Sequence, residues 1–299
     1  ETPYQINHGD WLAFEHTLKK ADGTDQEAPD PRQVHLLNDA FRVWMARLMR
    51  EMAAATGRVG DERHFTQEEA RHRAVFAGRY LGADGCLKEA YRGQCNDLYV
   101  LKLGLCGNAV ATEATKKDLI ANIRTHGNRL QTGFLGTAIL MPTLTFEADA
   151  PDVAYDLLLQ DKFPSWLYSV DQGATTVWER WNSYTKKDGF GPSDMNSFNH
   201  YAYGAVLAWM YRTMAGIAAD PSCPGFRRIV MAPKPDRRVG HVKAEYRSAA
   251  GLVKSAWRYE GEKWIWEFTI PEGAVAAVSL PDGTPARDYA AGTYRIELP

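Results

Sequence analysis

Val177–Trp181, VWERW, sets one glutamate between two tryptophans. A sugar site uses these residue types. Flat aromatic faces cover the apolar C–H face of a pyranose, while carboxylates, amides and imidazoles bond its hydroxyls. Glycoside hydrolysis adds a pair of carboxyl groups flanking the scissile bond. Glu179 is therefore a candidate catalytic carboxylate, and Trp178 and Trp181 are candidate sugar-binding aromatics. The same spacing also fits a plain helix, with the tryptophans at i and i+3 packed in a core and Glu179 facing water. Both readings stay open on these residues alone.

Three other stretches carry residues of the same kind. QTGFLGT, Gln131–Thr137, places two glycines about an aromatic, as a tight turn entering a helix would. MNSFNHYAYGAV puts Asn199 and His200 at the start of a predicted helix whose inner face carries Ala205, Leu207 and Met210. HGDWLAFE sets Asp10 beside Trp11. Asp10, Trp11 and His200 join the candidate substrate-binding residues, although Asp10, Asn199 and His200 suit helix capping equally well.

The elements that must position these residues fall into two parts. With 299 residues, 45% apolar and 24% charged, the chain is long enough for one large or two ordinary domains. A net charge of −2 gives no electrostatic reason to expect nucleic acid or an anionic membrane. No apolar run approaches a membrane span. The four cysteines lack CxxC spacing, so no metal and no cofactor are expected, and the redox compartment stays open. The chain opens on Glu1 without a signal pattern, which suggests a removed leader or a start inside a longer protein.

From Asp30 to about Ile217 the periodicity is helical. Asp30 is a predicted N-cap, with Pro31 at the first position and Gln33 closing a capping box. Leu37, Phe41, Trp44, Leu48 and Met52 then recur on one face, and Gly57 supplies the stop. Thr66 and Glu69 suggest a second capping box, with Gly82 as terminator. Further helices are predicted near 95–105, 111–126, 137–144, 152–160 and 200–217, as an array of antiparallel pairs. After Pro221 the segments become short, β-branched or aromatic, and turn-separated. In one of them Trp264, Trp266 and Phe268 alternate against Ile265 and Glu267. The expected organisation is a mainly α part, residues 1–220, followed by an antiparallel β-sandwich, residues 221–299.

Taken in order, TGFLGT, GATTVWERW and NHYAYGAV, followed by PGFRRIVMAPKP, resemble the C-terminal half of the bacterial α-L-rhamnosidases. These are inverting glycoside hydrolases built on an α/α toroid of six helix hairpins. The resemblance runs from about Asp10 to the C-terminus and is weakest between Glu15 and Pro29. It implies that Glu179 is the general base, that His200 bonds sugar hydroxyls, and that Trp11 lines the pocket with help from Trp178 or Trp181. An aromatic wall suits rhamnose, whose C6 methyl leaves no hydroxyl stranded there.

The sequence departs from the family at the general acid, a glutamate in an Asp-Cys-Pro-x-Arg-Asp-Glu-Arg motif followed by Gly-Trp. GDERHF, Gly60–Phe65, lacks both the lead and the trailing Gly-Trp and is not the acid. Seven or eight helices are recognisable where six hairpins need twelve. The chain thus reads as the second part of a catalytic barrel with its β-sandwich, needing upstream chain as partner, inactive alone, and acting on a rhamnose-containing glycoside. The alternatives are another α/α-barrel glycosidase, a carbohydrate-binding segment that has lost catalysis, and a helical interaction module.

Overall fold

The computed structural model describes residues 8–15, 17–19 and 25–299, with the backbone alone at 17–19 and 25–29. It divides into two compact units, residues 1–204 and 205–299. The first is helical: α1 Pro31–Ala55, α2 Val59–Tyr80, α3 Gln94–Leu103, α4 Ala109–Thr125, α5 Phe134–Pro142, α6 Pro151–Leu158 and α7 Trp166–Asp171. Two short antiparallel ribbons accompany them, β1 Thr17–Lys19 with β2 Asp25–Pro29, and β3 Tyr184–Thr185 with β4 Gly189–Phe190.

Asp30 caps α1 as expected, accepting a bond from Arg32 N at 2.8 Å with Pro31 behind it. The capping box does not form, because Gln33 turns inward and is buried. The buried face of α1 is Leu36, Leu37, Ala40 and Val43, while Leu48 and Met52 are exposed. Apolar residues surround most of this helix, so periodicity allowed two stripes and packing selected one. Phe41 and Trp44 turn toward Tyr99 of α3, with ring centroids 5.3 and 6.3 Å away. α2 runs antiparallel to α1: Asp39 accepts from Arg79 and Tyr80 at one end, and Glu69 accepts from Arg47 and Arg50 further along.

The second box is also corrected. α2 begins at Val59, so Thr66 lies inside it and donates to Glu62 O at 2.8 Å. The first turn of α2 carries Asp61 and Glu62, a favourable placement at a positive helix end, and this moves the start upstream. Helix α7, which the sequence did not announce, is capped by Ser165 through Tyr168 N at 3.1 Å.

The 200–217 helix, which begins in the first unit and runs into the second, is shorter than predicted. A tight turn at Ala202–Ala205 leads to α8, Val206–Trp209, and a wider turn at Met210–Met214. The inward residues are Tyr203, Trp209 and Met214, whereas Leu207 is 55% exposed. Gly216, at φ +73°, ends the run, and a Cβ there would meet Pro233 N at 2.2 Å. The strands β5 Ile217–Ala219, β6 Arg228–Met231, β7 His241–Ser248, β8 Gly251–Glu260, β9 Lys263–Ile270, β10 Val275–Val278, β11 Arg287–Tyr289 and β12 Gly292–Leu298 follow. They form two four-stranded sheets, ordered β11-β10-β6-β5 and β12-β9-β8-β7. All pairs are antiparallel except β6–β10.

One core lies between the sheets, with Ile229, Met231 and Val278 from one and Trp257, Trp266 and Phe268 from the other. Trp264, Trp266 and Phe268 point inward as the alternation predicts, but Ile265 is buried as well. Trp257 Nε1 donates to Met214 O and Ser255 Oγ to Ala215 O, both at 2.6 Å, pinning the end of the α8 run to β8.

Candidate active site

The residues around Glu179 lie in neither a helix nor a strand. Residues 176–180 instead run beside 195–200, held by long-range bonds. Glu179 N donates to Ser197 O at 2.9 Å, and His200 N donates to Val177 O at 2.8 Å. Thr176 Oγ1 donates to Phe198 O, and Arg180 Nε donates to Met195 O at 2.7 Å. The plain-helix account of VWERW is thereby removed, and Glu179 and His200 are brought onto one pair of segments.

The Glu179 carboxylate is half-buried. Its Oε2 accepts from Ser197 N at 2.7 Å, and Oε1 has no donor among the described residues. One oxygen is anchored and the other is free to accept a proton. His200 is equally defined. Its Nδ1 accepts from Ala202 N at 3.3 Å, which assigns the remaining ring proton of a neutral imidazole to Nε2. The ring stacks on Phe134 at 4.9 Å and runs nearly parallel to the exposed ring of Tyr201 at 5.5 Å.

Asp10 sits differently. It is 2% exposed, and its oxygens accept from Gly133 N and Gly136 N, each at 2.8 Å. It therefore caps α5 from 123 residues away in sequence. Burial raises its pKa to about 6, against the lowering effect of the two amides. The glycines of TGFLGT now have a cause. A Cβ on Gly133 would stand 2.0 Å from Trp11 O, and one on Gly136 would stand 2.7 Å from Asp10 Oδ2. Trp11 O accepts from Phe134 N at 3.0 Å, so the Asp10–Trp11 pair and the His200-stacking Phe134 form one braced piece.

Trp178 and Trp181 are 7% and 4% exposed. Trp181 stacks on Tyr203 at 3.9 Å and donates from Nε1 to Thr132 O at 3.0 Å. Trp178 meets Phe198 edge-on. Both tryptophans line a groove of about 260 Å³ with Trp166, Val170 and Arg180, and neither Glu179 nor His200 borders it. Phe134, Ser197 and Tyr203 are the contributors that sequence reasoning missed. Phe134 was signalled only as the aromatic inside TGFLGT. The Tyr203 phenol is buried, close enough to Asp10 that burial and that charge hold its pKa well above the ordinary value. Among the described residues, no group of His, Cys, Asp and Glu is arranged to hold a metal ion.

Comparison with known proteins assigns the family of the chain. Residues 2–214 match the bacterial α-L-rhamnosidase six-hairpin glycosidase domain, and residues 216–294 match the bacterial α-L-rhamnosidase C-terminal domain. The chain belongs to the bacterial α-L-rhamnosidase family. An α-L-rhamnosidase of Streptomyces avermitilis is 36% identical over 296 residues, 97% of this chain but 27% of that protein. The crystal structure of an α-L-rhamnosidase from the same organism, complexed with L-rhamnose, superposes with a TM-score of 0.83 at 32% identity, over 98% of this chain and 28% of that one. The Aspergillus terreus enzyme superposes at 0.87 with 26% identity, over 97% of this chain and 33% of that one. This family member thus spans about a quarter to a third of the relatives it matches. Its helical part followed by a sheet-rich part is the order that the two family domains require.

Proposed function

We propose that the protein to which this chain belongs hydrolyses terminal α-L-rhamnosides with inversion, and that Glu179 is its general base. The observation that carries this is the half-anchored carboxylate. Ser197 N holds Oε2, so Oε1 is oriented to take the proton of a water attacking the anomeric carbon. His200, stacked on Phe134, offers Nε2–H to a sugar hydroxyl, and Trp11, braced through Phe134, gives an apolar wall for the C6 methyl. Asp10 acts indirectly, by fixing Trp11 and the start of α5. Trp178 and Trp181 hold the base-bearing segment from behind.

An inverting site needs its acid about 6.5–9.5 Å from the base, with room for water between. Glu62 in GDERHF lies in the first turn of α2 and has neither flank of the family's acid motif. The acid is assigned outside these residues, in further chain that completes the helical toroid, so this chain alone turns over rhamnosides at least about 100-fold more slowly than the complete protein. The test is proton NMR of the first-formed sugar from an aryl α-L-rhamnoside and the complete protein. β-L-rhamnose is expected first. Initial release of the α anomer would make Glu179 a nucleophile or a bystander.

A further inference from the structure

Outside the site, the sequences Asp84-Gly85-Cys86 and Cys106-Gly107-Asn108 read as mirror images about α3. The fold lays them side by side. Gly107 N donates to Gly85 O at 2.9 Å, and Asn108 Nδ2 donates to Asp84 O at 3.1 Å. A Cβ on Gly107 would stand 2.8 Å from Gly85 Cα, and one on Gly85 would stand 3.1 Å from Gly107 Cα. Only glycines allow the two backbones to come this close. Residues 84 and 85 thus lie against 107 and 108, and Cys86 and Cys106 are each the next residue along their segment.

The thiols converge on one turn of α4. Cys86 Sγ lies 4.0 Å from Ala111 O, and Cys106 Sγ lies 3.6 Å from Thr115 Oγ1. Those two oxygens are themselves bonded at 2.9 Å. Both cysteines are free thiols, Cys86 buried and Cys106 half-buried. Both thiols therefore face the same Ala111–Thr115 turn, which brings them into one neighbourhood.

We propose that Cys86 and Cys106 form a redox-responsive dithiol site that takes a small-molecule disulfide as oxidant and closes to an intramolecular disulfide. The more accessible Cys106 thiolate attacks one sulfur of the oxidant. The oxidant's S–S bond breaks, and one thiolate leaves and is protonated. Cys86 then gives its proton to solvent and attacks the Cys106 sulfur, expelling the second thiolate. Two protein thiols are oxidised and one disulfide is reduced to two thiols. Burial and the neighbouring Asp84 hold the Cys86 thiol up, which suits it to the second, intramolecular step. Closure ties together the two ends of α3, the helix that packs against α5 and its Asp10 cap. The site is independent of the role given to Glu179.

Cys95 makes the test decisive, since it lies between the two in sequence but is fully buried elsewhere. Loop-closure entropy in an unfolded chain favours the shorter 86–95 and 95–106 links, so an 86–106 link is a signature of the fold. The complete protein is equilibrated natively in glutathione buffers of increasing disulfide content, alkylated, and digested with trypsin without reduction. Peptides 80–88 and 103–116 are expected to be joined, to separate on reduction, and to remain unjoined in Cys86→Ser and Cys106→Ser. Amide exchange across Gln94–Leu103 is expected to slow roughly tenfold in the oxidised form. A stable glutathione adduct on Cys106 with Cys86 still alkylated would overturn the proposal. So would links through Cys95 in the native protein.

Discussion

Asp10 and Glu179 are both acidic residues next to a tryptophan in a motif, and the fold uses them in opposite ways. Asp10 is sealed, with each oxygen on a backbone amide of the TGFLGT turn. Glu179 stands on irregular backbone with one oxygen tied to Ser197 and the other without a protein donor. The first carboxylate finishes a helix end, and the second keeps one oxygen without a protein donor, as the proposed general base requires. What a motif carboxylate does is decided by the partner of its second oxygen, which the motif itself does not reveal.

Breaking the braced side has the largest expected effect on stability. Gly133→Ala drives a methyl group into Trp11 O, a backbone atom that cannot step aside, and should cost more than about 4 kcal/mol. Chemical denaturation would read this loss, and a variant within about 1 kcal/mol of wild type would remove the brace from the account. Asp10→Asn comes next. It sets an amide nitrogen against one of two backbone N–H donors, leaving that donor unpaired at a cost of about 1–3 kcal/mol near neutral pH.

The same substitution tests the pH behaviour. The folded pKa of Asp10, about 6, is raised above the ordinary 3.8, so the folded state binds the proton more tightly than the unfolded chain does. Stability from this group is fully present below about pH 4 and is lost as pH rises through about 6, by up to roughly 3 kcal/mol. Asp97, raised to about 8 by burial and by Glu15, acts in the same direction over a wider window. Denaturation midpoints at pH 4.5 and 7 should therefore differ less in Asp10→Asn than in wild type. An equal pH slope in both would contradict the sealed state of Asp10. Trp181→Phe is milder. It gives up the bond to Thr132 O and part of the ring stacked on Tyr203, about 1–3 kcal/mol by thermal melting.

Much of the fold was legible where structure is local. Helix periodicity marked α1 to α6, Asp30 declared its cap, and alternation marked β9. The errors arose where a pattern met a competitor. Thr66 and Glu69 spelled a capping box inside a helix that already had an acidic first turn, and the apolar surface of α1 offered a second stripe. The site was legible in kind but not in arrangement. VWERW has helical spacing, yet bonds to residues 195–200 hold it in an irregular path that no periodicity encodes. The pairing of Asp10 with Gly133 and Gly136 spans more than a hundred residues, so its role became visible only in three dimensions. Composition marked the tryptophans as candidate sugar platforms but carried no information about which face of their segment lines the groove they share with Trp166.

The central claim concerns Glu179, and turnover by Glu179→Gln in the complete protein tests it most directly. Glutamine keeps the shape and can still accept from Ser197 N but cannot take a proton from water. The kcat for an aryl α-L-rhamnoside should fall about 10²–10⁴-fold, with the melting temperature within about two degrees of wild type. A kcat within a few-fold of wild type in a folded variant would show that another residue activates the water.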